Sequence, residues 1–408
     1  MSENYFYYSV EKKPMQAAYM ISKQISEMEN IIGLHYGSPI FSPPSFLLDK
    51  ESNIFSNDNV TYSMKSYEEP RGKLALRKAI ADWYYKRLKL TIDPETEILI
   101  TNGSSEALTL AILATTNPRD DLLILNPSYT SFGACAFSLD RKIKQVTLLN
   151  DLNAQLESIL RNNSDSIRAC IINSPCNPTG NILTTSEWES LSRFCEKKNA
   201  YLVHDEILDV FTFDENDYIS AASIASLRNK AVLINSMSKT FGLPGLRIGW
   251  IIANKKTISE IIELKSSLCL GVNLLSEVIA ERVLSNVSTI DWIRTSKSEI
   301  IKRVDYACAK LNTRNGFSWQ FKPKAGFCLF PNVSSLYSRL PKKYHLGDLS
   351  KGASVAQYFL DEKGVAVTPG SIYGSEGRDH IKIVVCGKEK EFYTAINRIC
   401  SNNAEIKV

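Results

Sequence analysis

Ser236-Met237-Ser238-Lys239-Thr240-Phe241-Gly242-Leu243-Pro244-Gly245-Leu246-Arg247-Ile248-Gly249-Trp250 lies between two apolar runs, residues 232–235 and 249–253. Runs this short and this apolar read as buried strands. Between them stand hydroxyls, a lysine, glycines and an arginine. A lysine at a strand end among small residues can reach a carbonyl carbon and bond to it. An arginine a few positions on can hold a phosphate with a forked pair of hydrogen bonds. A phosphorylated aldehyde needs both.

Other strand ends carry matching chemistry. Residues 97–101 read as a strand that turns through Asn102-Gly103-Ser104-Ser105-Glu106-Ala107-Leu108 into a helix. Gly103, Ser104 and Ser105 there make an anion cup of backbone N–H groups, hydroxyls and a helix N-terminus. Ser104 also suits an ordinary N-cap. A strand at 122–125 ends in Asn126-Pro127-Ser128-Tyr129, whose ring can stack on a flat ligand. Strands at 145–149 and 169–173 follow, the second running into Ser174-Pro175-Cys176-Asn177-Pro178-Thr179-Gly180. Thr184 and Glu187 fit a capping box, with Trp188, Leu191 and Cys195 as the buried face of the helix behind it. A strand at 201–204 ends in Asp205-Glu206-Ile207-Leu208, and a buried carboxylate there needs a partner. There is no G-x-G-x-x-G run to support a dinucleotide site.

The Asn-Pro-Thr-Gly loop, Asp205 and the Lys239 stretch, in this order, closely resemble the class I/II, aspartate aminotransferase-like enzymes of fold type I. These depend on pyridoxal 5'-phosphate, and the resemblance covers nearly the whole chain. It implies an α/β fold, with a mostly parallel central sheet in a large domain (46–295) and a smaller α+β domain built from 1–45 and 296–408. It makes Lys239 the Schiff-base residue and Asp205 the partner of the pyridine nitrogen. Gly103, Ser104, Ser105, Ser236 and Arg247 fall at the phosphate, Tyr129 over the ring and Asn177 at the ring oxygen and beside the substrate. Gly37, in Leu34-His35-Tyr36-Gly37-Ser38-Pro39, falls at the substrate, and Tyr67 is placed to reach the cofactor phosphate in the partner of a homodimer.

Two positions depart from the family. Leu208 stands where a tyrosine usually bonds the ring oxygen, and leucine cannot donate. Lys382 stands where an arginine usually holds the substrate carboxylate, with Arg378 the nearest alternative cation. Lysine is a point charge without the planar fork. A cyclase of specialised metabolism, capreomycidine synthase, shares the 103–108 and 238–247 blocks but keeps the arginine. Transamination of an amino acid or related amine is therefore the first expectation. Elimination, replacement or cyclisation on the same cofactor is second, and a non-catalytic sensor of an amino compound is third.

The remaining sequence sets bounds. The 408 residues allow two or three domains, and a formal net charge of +4 gives no reason to expect nucleic acid or membrane partners. No apolar run reaches a membrane span. Nine scattered cysteines without a C-x-x-C pair, and a start without a signal peptide, suggest a reducing cytoplasm. The four histidines, His35, His204, His345 and His380, show no metal-ligand spacing, so no metal is expected. Residues 1–45 read as irregular apart from a helix near 15–28. Helices are expected over 74–87 and 389–400, with a long one over 292–311. Strands are expected at 325–331, 365–370 and 380–386.

Overall fold

The computed structural model describes residues 5–37, 44–47, 67, 69–148, 151–162, 166–214, 217–345 and 347–401. In chain order the strands are β1 (Ile32–Gly33), β2 (Ile98–Thr101), β3 (Asp121–Asn126), β4 (Lys142–Thr147), β5 (Ile167–Asn173) and β6 (Tyr201–Asp205). Then come β7 (Ala231–Ser236), β8 (Gly249–Ile252), β9 (Cys328–Leu329), β10 (Val365–Ala366), β11 (Thr368–Pro369) and β12 (Ile381–Val384). Seven of them form one sheet in the order β2-β8-β7-β6-β5-β3-β4. Pairs among β3 to β7 are parallel, and β8 runs antiparallel to both β7 and β2.

Apart from β4, the sheet is buried on both faces, and the two-residue period assigns side chains to them. Leu123, Leu125, Leu202 and Leu233 join one apolar cluster; Leu122, Ile124, Val203, Val232 and Ile234 join the other. Helices Ser104–Thr115 and Lys255–Leu268 cover the second face, while Leu74–Leu88 and Thr185–Lys198 lie on the first. The outer strand β4 exposes Lys142 and Lys144, which blunts an open edge. The carboxyl ends of the parallel strands share one rim, where open α/β sheets bind ligands. Asn126, Asn173, Asp205 and Ser236 are the terminal residues there.

Three elements depart from expectation. The N-terminal segment is mostly helical: Phe6–Lys12, a 3-10 turn Pro14–Gln16, and Ala17–Ser26. The first helix buries Tyr7 and Val10, and the Tyr7 hydroxyl donates to Val367 O at 2.7 Å. Lys13 breaks the helix because a residue before proline disfavours the α region. The C-terminal strands are shorter than expected. Residues 365–370 divide between two partners, β10 pairing with β1 and β11 with β12. Residues 325–331 keep only β9, paired with β12. The long helix runs Ser288–Lys310, starting four residues earlier than expected, and Thr289 Oγ1 in its first turn donates to Val283 O at 2.5 Å. Among the described residues, no helix is long and apolar enough to cross a membrane.

Candidate active site

A cavity of about 360 Å³ opens at the carboxyl rim of the sheet. Ser104, Ser105, Tyr129, Asn177, Asp205, Lys239, Arg247, Lys382 and Gly37 all line it, though they come from distant parts of the chain. Its size suits a small cofactor with part of a substrate.

Lys239 sits on a one-turn helix, Met237–Thr240, immediately after β7. Ser236 caps that turn: its hydroxyl accepts from Ser238 N at 3.2 Å. Lys239 Nζ donates to Gly37 O at 2.5 Å and lies 5.9 Å from the centre of the Phe327 ring. Burial, and then the charge of Lys382, push its ammonium below the ordinary lysine range.

The sheet register builds the anion cup. Gly249 on β8 pairs with both Ser236 on β7 and Thr101 on β2, which brings the 102–104 turn beside Arg247. Gly103 has φ +80°, a conformation that favours glycine, and a Cβ there would press on Arg247 Nη2. Arg247 itself is left-handed at φ 54° and donates to Pro244 O at 3.0 Å and Asn102 O at 3.4 Å. The helix Ser104–Thr115 starts at this point without a side-chain cap, so the dipole and N–H groups of its first turn favour an anion.

Asp205 ends β6 and is almost buried. Burial pushes its carboxyl up to about 6, although Ile207 N donates to it at 3.1 Å. Its carbonyl accepts from Asn173 Nδ2 at 3.1 Å. Asn173 Oδ1 in turn accepts from Asn177 N at 2.7 Å, and the buried Asn177 Oδ1 has no partner among the described residues. Tyr129 is 40% exposed and meets Phe132 edge-on at 5.7 Å. Lys382 on β12 is buried, its ammonium 5.0 Å from the centre of the Tyr373 ring. Burial works against that charge, but Cys328 and Tyr373 outweigh it and hold the pKa above the ordinary value.

Some residues singled out in the sequence stand outside the cavity wall. Ser236 and Gly103 shape it from behind, and Tyr67 is 85% exposed. Arg378 is exposed and does not line the cavity, so of the two candidate cations only Lys382 faces it. Ser38, Pro39, Ser42, Pro43 and Leu149 lie outside the described residues. Leu208 is buried in the wall and leaves the oxygen side of the site without a hydroxyl at that position. Sequence reading missed Pro14, Met15, Ala18, Phe327, Cys328 and Tyr373, which also line the cavity. No motif marks them, since the fold joins segments more than 300 positions apart.

The parts match a flat phosphorylated aldehyde. An amine that can capture a carbonyl, an anion cradle and a buried carboxylate with a single backbone donor share one cavity. The comparisons agree. Residues 30–399 match the model of the family described as aminotransferase class I and II. A Pyrococcus abyssi protein described as aspartate aminotransferase is 24% identical over 374 residues, covering 91% of each chain. A (5-formylfuran-3-yl)methyl phosphate transaminase of Methanocaldococcus jannaschii is 28% identical, covering 93% of each. An aspartate aminotransferase structure from Rhizobium meliloti superposes with a TM-score of 0.82 at 20% identity, covering 94% of each chain, which establishes likeness of fold. The chain belongs to the class I and II aminotransferases, and is a transferase that works with pyridoxal 5'-phosphate.

Proposed function

We propose that the chain moves the amino group of an α-amino acid, with Lys239 as both the anchor of the cofactor and the proton carrier. The observation that carries this reading is the single cavity joining Lys239, Asp205 and the Gly103–Arg247 cradle. Pyridoxal phosphate, when bound, supplies an electron sink that lets the bond from an α-carbon to hydrogen break. Arg247, Ser104, Ser105 and the first-turn N–H groups would hold its phosphate, with Gly103 and Ser236 setting their places. Asp205 would pair with the ring nitrogen, Tyr129 would cover the ring face and Asn177 would bond the ring oxygen. With leucine at 208, Asn177 carries that last contact without a tyrosine.

Lys239, once free, takes the α-proton at Nζ and returns it. Burial and Lys382 depress its pKa, which favours the neutral amine that a base requires. Lys382 would take the substrate carboxylate, and Gly37 would fix the backbone edge of the substrate pocket. We also propose the division into a large domain (46–295) and a small domain (1–45 with 296–408), a homodimer, and a cytoplasmic location. The last is supported by nine free cysteines.

Borohydride treatment of the purified protein, followed by peptide mapping, tests the anchor: the label should fall on Lys239. A label on another lysine would sink the assignment. The direction of the chemistry is tested without added keto acid. One keto acid should be released per site from a reactive amino acid, and then turnover should stop. Steady release of ammonia or another leaving group would instead support elimination or cyclisation.

A further inference from the structure

Among the described residues, the charged side chains lining the cavity are few: Asp205, Lys239, Arg247 and Lys382. Three of them are matched to the cofactor's carbonyl, phosphate and ring nitrogen in the reading above. Lys382 is left for one carboxylate. Among the described residues of the wall, no second cation remains for a carboxylate on the substrate's side chain, and no second carboxylate remains for an ammonium. Charges taken out of water without a partner are strongly disfavoured. His35 does not supply one. It is buried, its Nε2 lies 2.8 Å from Ser22 Oγ, and burial together with Lys382 pushes its pKa down to about 4, so it is neutral near pH 7.

The wall beyond Lys382 carries apolar side chains, with only uncharged hydroxyls (Thr130, Ser131, Thr368) among the other described residues there. Tyr373 lies under the Lys382 ammonium, and Ile372 precedes it in the turn Gly370–Tyr373. The Pro14–Gln16 turn packs against that turn and against the helix Thr130–Ser138, so it spans the mouth from one side to the other. It brings Pro14 and Met15 to the cavity, which Ala18 and Tyr36 also line. Met15 is 53% exposed and Tyr36 62%, which leaves apolar surface open for a ligand to cover.

We propose that the substrates of this enzyme are α-amino acids with uncharged, apolar side chains, seated against Met15, Ala18, Tyr36 and Ile372. This inference rests on Lys382 taking the α-carboxylate. Aromatic and branched aliphatic side chains both fit that chemistry, and dicarboxylic and basic amino acids do not.

The test uses the holoenzyme and amine-free carboxylates, so that binding is read apart from turnover. By calorimetry, 3-phenylpropanoate and 4-methylpentanoate should bind at least about tenfold more tightly than glutarate, in line with hydrophobic pocket selectivity. The kcat/KM for phenylalanine, leucine and methionine should exceed that for aspartate, glutamate and lysine by at least the same factor. Met15 is exposed, so its variants should fold, which circular dichroism checks. Met15→Ala should weaken 3-phenylpropanoate binding severalfold, and Met15→Arg should shift preference towards glutarate by about tenfold. Preference of the native enzyme for glutarate and aspartate, or for lysine, would overturn the proposal while leaving amino transfer intact. Unchanged 3-phenylpropanoate binding in Lys382→Ala would overturn it through the anchor on which it rests. Failure of every amino acid to yield a keto acid would count instead against the proposed function.

Discussion

Asp205 is a residue whose placement serves the site at the expense of the empty protein. Its carboxyl titrates near 3.8 when unfolded and near 6 when folded, because burial penalises the charge. Between those values the native state binds more protons than the unfolded state. Stability therefore falls as pH rises through about 4 to 6, and the cost persists above that window. The shift corresponds to about 3 kcal/mol. Asn can keep the acceptor for Ile207 N without the charge. In the cofactor-free protein, Asp205→Asn should gain on the native chain by roughly 2–3 kcal/mol between pH 4 and pH 7, measured by urea unfolding. A difference independent of pH would show that the carboxylate is not held in this way. The same variant should retain pyridoxal phosphate poorly, since an amide lacks the negative charge that favours a protonated ring nitrogen. Gly103 makes a second residue-scale case. With φ +80° and Arg247 Nη2 at 2.4 Å from a built Cβ, Gly103→Ala is strained and crowded at once. It should cost about 1–3 kcal/mol of stability. It should also weaken cofactor reconstitution at least tenfold, read from absorbance titration of the apoprotein. Affinity equal to that of the native chain would mean the cradle does not depend on that glycine.

At the scale of elements, the helix Thr185–Lys198 offers a control remote from the chemistry. Thr184 Oγ1 accepts from Glu187 N at 3.4 Å, and Glu187 Oε2 accepts from Thr184 N at 2.7 Å. This is the reciprocal cap that the T-x-x-E spacing predicts. Thr184→Ala should destabilise the fold by about 1 kcal/mol in thermal or urea unfolding, with kcat/KM unchanged. A loss of activity beyond the stability effect would show that this helix reaches the site. This cap was legible because its signal lies within four residues. The inner strands of the large sheet were legible for a related reason: burial on both faces makes each a continuous apolar run, whereas the exposed β4 runs Lys142–Thr147 and not 145–149 as expected. The carboxyl-end residues followed from them, since Asp205 and Lys239 each stand next to such a run. The small sheets were harder. β9, β10 and β11 are two residues each, and their ends are set by which neighbour each segment meets, which no local pattern encodes. The helix Phe6–Lys12 was missed for the same cause, because its buried face packs against residues some 350 positions away. So was the apolar wall of Met15, Ala18 and Ile372, which exists only once both ends of the chain meet over the cavity.

For the whole molecule, the exposed surface beside the anion cup is the feature that one chain leaves unexplained. Tyr67 is 85% exposed, Leu268 66% and Leu270 51%. The segments that carry them are tied together: Lys265 Nζ donates to Pro70 O at 2.9 Å, and Lys73 N donates to Glu277 Oε1 at 2.8 Å. The same surface borders the cup, because Asn102 Nδ2 donates to Cys269 Sγ at 3.4 Å. Exposed apolar and aromatic side chains on these linked segments are what the proposed dimer interface would need. A two-fold dimer would cover it and carry Tyr67 of each chain to the other's phosphate. Light scattering should then give a mass near twice the 45.8 kDa of the chain. Leu268→Glu with Leu270→Glu should yield monomers that lose cofactor. Chain mixing gives the sharper test. A Lys239→Ala chain keeps its tyrosine, and a Tyr67→Ala chain keeps its lysine. Each variant alone should be inactive or nearly so. In a mixed dimer one site lacks both groups and the other has both. Random pairing of equal amounts places about half the chains in mixed dimers, so activity should recover to at most about a quarter of the native value. Mixed dimers shown to form without any recovery would mean that each chain completes its own site, and that Tyr67 serves only the contact between chains.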